Sequence, residues 1–324
     1  MHLLVTGGAG YIGSHFVKLA LSSDHLITVA DNLSRGHREA VMPEAEFVEV
    51  DLCDFNNLKR VVNGKNFDAV IHFAAFAYVG ESVENPLLYY QNNVIGTLNL
   101  IRAVNETGIK KFVFSSTCSV YGNTDIFPIT EELPVNPINP YASGKLIIEN
   151  VLRDCDRAYG LKSVCLRYFN AAGADAGGEI GSSHDPETRL LPLIILAALG
   201  KINEITVFGD DYNTPDGTCI RDYIHINDLA DAHLRALNFL NSENRSDFFN
   251  LGTGIGISVL DMISRVEKLT GYNVPYKISE RREGDPAILV ADYTKAKNKL
   301  GWEPKFSSED IILSAWRWYN ERKY

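Results

Sequence analysis

A chain of 324 residues, 36.0 kDa, is long enough to bury a large α/β core, as one unit or as two domains. Its formal charge of −10 and pI near 5.3 argue against nucleic acid as a partner, so an anionic small molecule would need its own local arginines. No basic leader opens the chain and no apolar run approaches a membrane span, from which we expect a soluble, cytoplasmic protein without a membrane partner.

The first run, Leu3 to Thr6, is of strand type, and Tyr11, Ile12, Phe16 and Leu19 then recur at helical spacing, predicting a helix over 12–22. The glycines between them therefore occupy a strand-to-helix turn. Gly8, Gly10 and Gly13 match Gly-x-Gly-x-x-Gly, and Gly7, Gly10 and Gly13 give a wider spacing. Such a turn lets backbone amides and a helix N-terminus face a pyrophosphate, although a tight βα turn alone would also read this way. The next run, Leu26 to Asp31, ends on a carboxylate eighteen residues beyond Gly13. Asp31 there accepts from ribose hydroxyls and repels a 2′-phosphate, which favours NAD over NADP despite Arg35 nearby.

Further strands are expected at Phe47 to Asp51, Ala69 to Ala74, Phe112 to Ser116 and Val164 to Phe169, with helices near 86–106 and 141–159. This alternation predicts an α/β fold with a Rossmann-type doubly wound parallel sheet, whose ligands collect at the carboxyl ends of the strands. Gly7, Asp31, Asp51, Phe73 to Ala75, Ser115 to Thr117 and Tyr168 to Asn170 then border one crevice. At the start of the helix near 141–159, Asn139 can cap and Pro140 suits the first turn. Tyr141 and Lys145, four apart, share a face, and Ile148, Leu152, Cys155 and Tyr159 continue an apolar stripe. An ammonium and a nicotinamide cation both favour phenolate, so the pair could take a proton from a substrate hydroxyl as hydride leaves the same carbon, with Thr117 relaying. Any Tyr and Lys four apart would be ordinary without the glycine turn and the Ser-Ser-Thr strand end.

The five cysteines, Cys53, Cys118, Cys155, Cys165 and Cys219, are odd in number and without metal-like pairing, so no disulfide framework and no metal site are expected. Cys118 reads as a small packed thiol. Beyond Asn170 a glycine-rich stretch from Gly173 to Gly181 and irregular sequence with Pro186, Pro192 and Pro215 interrupt the repeat. An amphipathic helix is predicted over Asn227 to Leu240, and two or three short helices after Ser258, closing on Trp316, Trp318 and Tyr319. The expected division is a cofactor domain of 1–170 plus about 225–250, and a smaller interleaved C-terminal substrate domain of about 171–224 and 251–324.

On these residues the chain resembles the extended short-chain dehydrogenase/reductase family, and within it the UDP-sugar 4-epimerases. The resemblance runs through Thr6 to His15, Asp31 to Leu33, His72 to Ala75, Val79 to Ser82, Tyr89 to Val94, Phe114 to Thr117, Tyr141 to Lys145 and Arg167 to Asn170. It continues in Asp216 to Thr218, Arg221 to His225 and Arg281 to Asp285, which lie in the substrate half and are more specific than the cofactor turn. It implies NAD-dependent C4 epimerisation of a UDP-hexose, interconverting UDP-glucose and UDP-galactose through a 4-keto sugar with no net redox. Tyr141 would be the base, Lys145 its partner on the nicotinamide ribose, and Thr117 an assistant. Gly7, Gly10, Tyr11, Ile12, Gly13, Asp31, Asn32, Ser34, Gly36, Asp51, Leu52, Phe73, Ala74, Ala75, Asn92, Ser115, Tyr141, Lys145 and Tyr168 would hold NAD. Thr117, Asn170, Arg189, Leu190, Phe208, Arg221, Tyr223, Arg282, Asp285 and Leu289 would meet the UDP-sugar.

The same resemblance implies a homodimer through the helices near 86–106 and 141–159. Ala77 stands where some epimerases carry a lysine, Arg189 where the family often has a neutral amide or histidine, and Leu289 at a position tied to admitting N-acetylated sugars. UDP-GlcNAc/UDP-GalNAc or another UDP-sugar is therefore an alternative substrate. A nucleotide-sugar 4,6-dehydratase would need an Asp-Glu pair after the threonine, where this chain has Cys118 and Ser119. A nucleotide-sugar dehydrogenase shares the short motifs, whereas a non-catalytic NAD sensor would not need Thr117, Tyr141 and Lys145 together.

Overall fold

Alternate residues of one apolar strand must bury on opposite faces when both faces are covered, and β1 (His2–Thr6) shows this directly. Leu3 and Val5 pack with Phe16 and Val17 on one side, while Leu4 joins Val70, Phe112 and Leu100 on the other. The computed structural model describes residues 1–282 and 285–324. Glu283 and Gly284, part of the Arg281 to Asp285 motif, lie outside the described residues.

After β1 the chain runs through α1 (Tyr11–Ser22), β2 (Leu26–Asp31), β3 (Glu46–Glu49), α2 (Phe55–Asn63), β4 (Ala69–His72), α3 (Val79–Glu84) and α4 (Pro86–Tyr89). There follow α5 (Gly96–Thr107), β5 (Lys111–Ser115), α6 (Pro140–Tyr159), β6 (Lys162–Tyr168), β7 (Asn170–Ala172), α7 (Leu190–Ala198), β8 (Ile205–Phe208) and β9 (Ile220–His225). The remainder is α8 (Ile226–Glu243), β10 (Asp247–Leu251), β11 (Gly256–Ser258), α9 (Val259–Thr270), β12 (Tyr276–Ser279), β13 (Ile288–Leu289), α10 (Thr294–Leu300) and α11 (Ser308–Asn320).

The large sheet is parallel throughout, in the order β10-β6-β5-β4-β1-β2-β3. Helices α1 and α8 cover one face, and α2, α5 and α6 the other, as the doubly wound reading requires. Strand β10, which joins the edge beside β6, was not among the expected strands. Helix α6 is capped as the sequence predicts, the Asn139 Oδ1 accepting from the Ala142 amide at 2.9 Å. Its buried stripe stops at Cys155, because Tyr159 is exposed.

The expected helix at 86–106 is present from Pro86 to Thr107, but Tyr90–Ile95 between α4 and α5 is π-helical. Beyond β6 the chain enters a second group of strands at once: β7 pairs with β9, which also pairs with β11 and β13, and β8 pairs with β12. Helices α7, α9 and α11 share a separate core with these strands around Ile194, Met262, Ile312 and Trp318. Among the described residues no helix is long and apolar enough to cross a membrane, and no cluster of metal-ligating side chains occurs.

Candidate active site

The glycine turn is built by close approaches that exclude side chains. Gly7, at φ +74°, lies so near Ala74 that a Cβ would stand 2.4 Å from its amide nitrogen, and a Cβ on Gly13 would stand 2.2 Å from the Gly7 carbonyl oxygen. Gly10 is the N-cap of α1, has no side-chain cap, and faces open space apart from Gly7 O at 3.3 Å. The first amides of α1 have no partner inside the helix, so the turn is a bare, positively polarised helix end. A pyrophosphate fits there on chemical grounds.

Asp31 joins this turn to the end of β2. Its carboxylate accepts from the Ala9 amide at 3.1 Å and the Leu33 amide at 2.9 Å. Burial raises its pKa, and those two amides hold it back. Asn32 donates to Asp51 at 3.1 Å and accepts from Ser34, while Gly36 packs so tightly on Ala9 that a Cβ would meet its carbonyl carbon at 2.9 Å. Asp51 sits beyond β3, where it accepts from the Cys53 amide at 2.7 Å, and Leu52 precedes α2 in the buried wall beside α5.

Strand β4 ends at His72 because the Phe73 and Ala74 amides both turn to Thr6 O, at 2.9 and 3.1 Å. Ala75 continues that turn, and Asn92, in the π-helical segment, donates to Asn93, which in turn holds the Phe76 backbone from both sides. At the end of β5, the Ser115 and Tyr168 hydroxyls are hydrogen-bonded, and Ser115 O accepts from Lys145 Nζ at 2.8 Å. Arg35, the possible phosphate ligand, is paired with Glu81 at 2.7 Å.

Tyr141, Lys145 and Thr117 are all buried. Lys145 Nζ lies 5.9 Å from the centre of the Tyr141 ring, and the Thr117 side chain is near enough to the Tyr141 hydroxyl to favour its ionised form. Thr117 also accepts from the Ser119 amide at 3.2 Å, which fixes its rotamer. Burial raises the Tyr141 pKa above that of free tyrosine, with Tyr168 adding to it and Thr117 opposing it. Burial also pushes Lys145 down to about 7, opposed by the Glu149 carboxylate. Burial therefore disfavours the charged form of both groups, the phenolate and the ammonium alike.

The substrate-side residues fall into two groups. Arg221 on β9 donates from Nη1 to Pro286 O at 2.8 Å and from Nη2 to Asp285 at 3.4 Å, and β13 places Leu289 opposite it in register. Arg282 lies over the Phe208 ring at 4.3 Å, and Tyr223 faces Asn170 across the β7–β9 pair. Asn170 is fixed by donating to Asp222 O at 3.1 Å.

Arg189, immediately before Leu190 and α7, belongs to the other group. Its guanidinium donates to both oxygens of Glu187, at 2.9 and 2.6 Å, and stands 5.2 Å from the centre of the Tyr11 ring. It shares no hydrogen-bond partner with Arg221 or Arg282 among the described residues. Tyr11 itself donates to Gly173 O at 2.6 Å, so this group abuts the start of α1.

Sequence reasoning assigned no role to a buried ion pair beneath the Ser115 to Thr117 strand end. Arg167 donates to both oxygens of Glu149, at 3.0 and 2.5 Å, and the Ser116 hydroxyl donates to Glu149 at 2.5 Å. Both charged side chains are under a tenth exposed. The signal available in the sequence was a charge inside each of two otherwise apolar stretches, Arg167 in Val-Cys-Leu-Arg-Tyr and Glu149 after Leu-Ile-Ile.

With this geometry in hand, comparison with known proteins is specific. Residues 3–252 match the model of the NAD dependent epimerase/dehydratase family. The chain is 49% identical over 323 residues to a UDP-glucose 4-epimerase of Streptococcus mutans, covering 99% of this chain and 97% of that one. It superposes on a crystal structure of UDP-glucose 4-epimerase from Brucella ovis in complex with NAD, with TM-score 0.94, 49% identity and 97% of each chain covered. It does likewise on the Bifidobacterium longum UDP-glucose 4-epimerase in complex with NAD⁺ and UDP, with TM-score 0.94, 38% identity and 99% of each chain covered.

Proposed function

The chain belongs to the NAD dependent epimerase/dehydratase family, and from that premise we propose that it interconverts UDP-glucose and UDP-galactose by inverting C4. It is an isomerase of UDP-hexoses that uses NAD. The observation that carries the reading at residue level is the buried Thr117–Tyr141–Lys145 group at the carboxyl end of β5, beside a glycine turn shaped for a pyrophosphate. NAD bound there would supply a reversible acceptor for the C4 hydride, so the reaction would have no net redox change.

Gly7, Gly10 and Gly13 with the α1 amides would hold its pyrophosphate, and Asp31 the adenosine ribose. As phenolate, Tyr141 takes the proton of the sugar 4-hydroxyl, with the Thr117 side chain beside it on the protein side. Burial makes the phenol reluctant to ionise, so the proton moves only when positive charge is near. Lys145 supplies that charge, while its bond to Ser115 O fixes its direction. Arg221 and Arg282 would offset the substrate diphosphate, and Phe208 would face the uracil.

We assign residues 1–170 with about 225–250 to the cofactor, and about 171–224 with 251–324 to the nucleotide sugar. Supporting this, α8 and β10 return to the large sheet, whereas Phe208, Arg221 and Leu289 stand on the second group of strands. A homodimer through the helices of 86–106 and 141–159 is supported by the exposed Leu87, Leu88, Ile95 and Ile147 along them, Leu87 being 82% exposed.

Incubation with UDP-galactose alone, followed by product analysis, tests the activity. UDP-glucose should accumulate to equilibrium without added cofactor. A 4-keto-6-deoxy sugar, or a need for stoichiometric NAD, would contradict epimerisation.

A further inference from the structure

A buried carboxylate and a buried guanidinium lose far more hydration than they regain by Coulomb attraction unless the pair is well satisfied, so their presence near the Tyr141–Lys145 helix calls for a reason. Glu149 is satisfied on both oxygens by Arg167 and on one by Ser116, and Arg167 reaches on to the Tyr121 hydroxyl at 3.0 Å. Tyr121 in turn donates to Asn250 at 2.7 Å on β10. Glu149 is four residues after Lys145 on α6 and therefore lies on the same helix face. Ser116 lies between the residue whose carbonyl receives Lys145 and the threonine that meets Tyr141.

We propose that Glu149 is a positioning residue for the reaction, clamping the Ser115 to Thr117 strand end onto α6 and presenting a fixed negative charge to the Lys145 ammonium. The inference rests on the assignment of Tyr141 and Lys145 made above. The titratable groups facing Lys145 are Tyr141 and Glu149 on its own helix, His72 on β4 and, through Ser115, Tyr168 on β6. Burial pushes His72 down to about 3 and Tyr168 up to about 12, so both are neutral near pH 7. Cys118 and Tyr89 act on Tyr141, and the Arg167 guanidinium is paired with Glu149. Glu149 thus opposes the burial that strips the proton from Lys145. Without its charge, Lys145 deprotonates at lower pH.

The test is kcat/KM against pH for the NAD-loaded enzyme, comparing wild type, Glu149→Gln, Glu149→Gln/Arg167→Gln and Ser116→Ala. The double variant removes the buried charge left unpaired in the single one, so it should recover thermal stability. We expect both Glu149 variants to shift the alkaline limb down by about one pH unit, the double variant included. Ser116→Ala should leave the limb in place and lower kcat several-fold. A double variant that is folded, holds NAD and keeps the wild-type profile overturns the electrostatic role. Wild-type kcat in Ser116→Ala overturns the clamping role. Activity undiminished in Tyr141→Phe would instead overturn the underlying assignment, leaving the two failures distinct.

Discussion

At the scale of single residues, burial disfavours the Tyr141 phenolate, so the base role proposed for it needs positive charge beside the ring. Tyr141→Phe removes the proposed proton acceptor while keeping the ring. It should retain NAD, measured by absorbance of the denatured supernatant, and lose roughly 10²–10⁴-fold in kcat. Near-normal turnover would assign the base elsewhere. Arg189 shows how a charge can be present without being available. Glu187 engages two of its guanidinium nitrogens, and Tyr11 lies alongside it, so it joins the loop before α7 to the start of α1. Sequence alone could place Arg189 near the substrate residues, because it adjoins Leu190, but could not show that Glu187 folds back on it.

At the scale of elements, α6 presents Tyr141 from its first turn, where helices fray most easily. The Asn139 cap therefore holds the turn that carries the proposed base. Asn139→Ala should cost about 1 kcal/mol in denaturant melts and, by loosening Tyr141, roughly tenfold in kcat. Lost stability with unchanged kcat would limit the cap to a folding role. Six strands of the large sheet were legible because each is an apolar run closed by a turn, and α6 because Asn139-Pro140 announces its start. Strand β10 was missed, since Asp247 and Asn250 break its apolar character. The short strands β7, β11 and β13 carry too few residues for any periodicity. The π-helical turn at Tyr90–Ile95 leaves the apolar spacing nearly unchanged, yet it lets the adjacent Asn92 and Asn93 bond to one another while Asn93 grips the Phe76 backbone. The Glu149–Arg167 pair was hidden for another reason. Its partners lie on a helix and the following strand, and their pairing exists only after α6 packs on β6.

At the scale of the whole molecule, the apolar side chains left exposed along 86–106 and 141–159 give the proposed dimer a definite test. Wild-type protein should sediment as a dimer at micromolar concentration, and Leu87→Lys should weaken association by roughly tenfold or more. A monomeric wild type would remove the proposal, while an unaffected variant would move the interface to another face. The passage from β6 to β7 carries a broader consequence. Tyr168, bonded to Ser115 in the large sheet, is separated by Phe169 alone from Asn170, which is registered against Tyr223 in the second group of strands. Two residues of extended backbone span no more than about 7 Å. The wall read as holding cofactor and the wall read as holding sugar are therefore cut from one short piece of chain, as two jaws are machined from one block. Alignment errors elsewhere in 324 residues do not accumulate across that joint, and an insertion there would misalign both ligands at once.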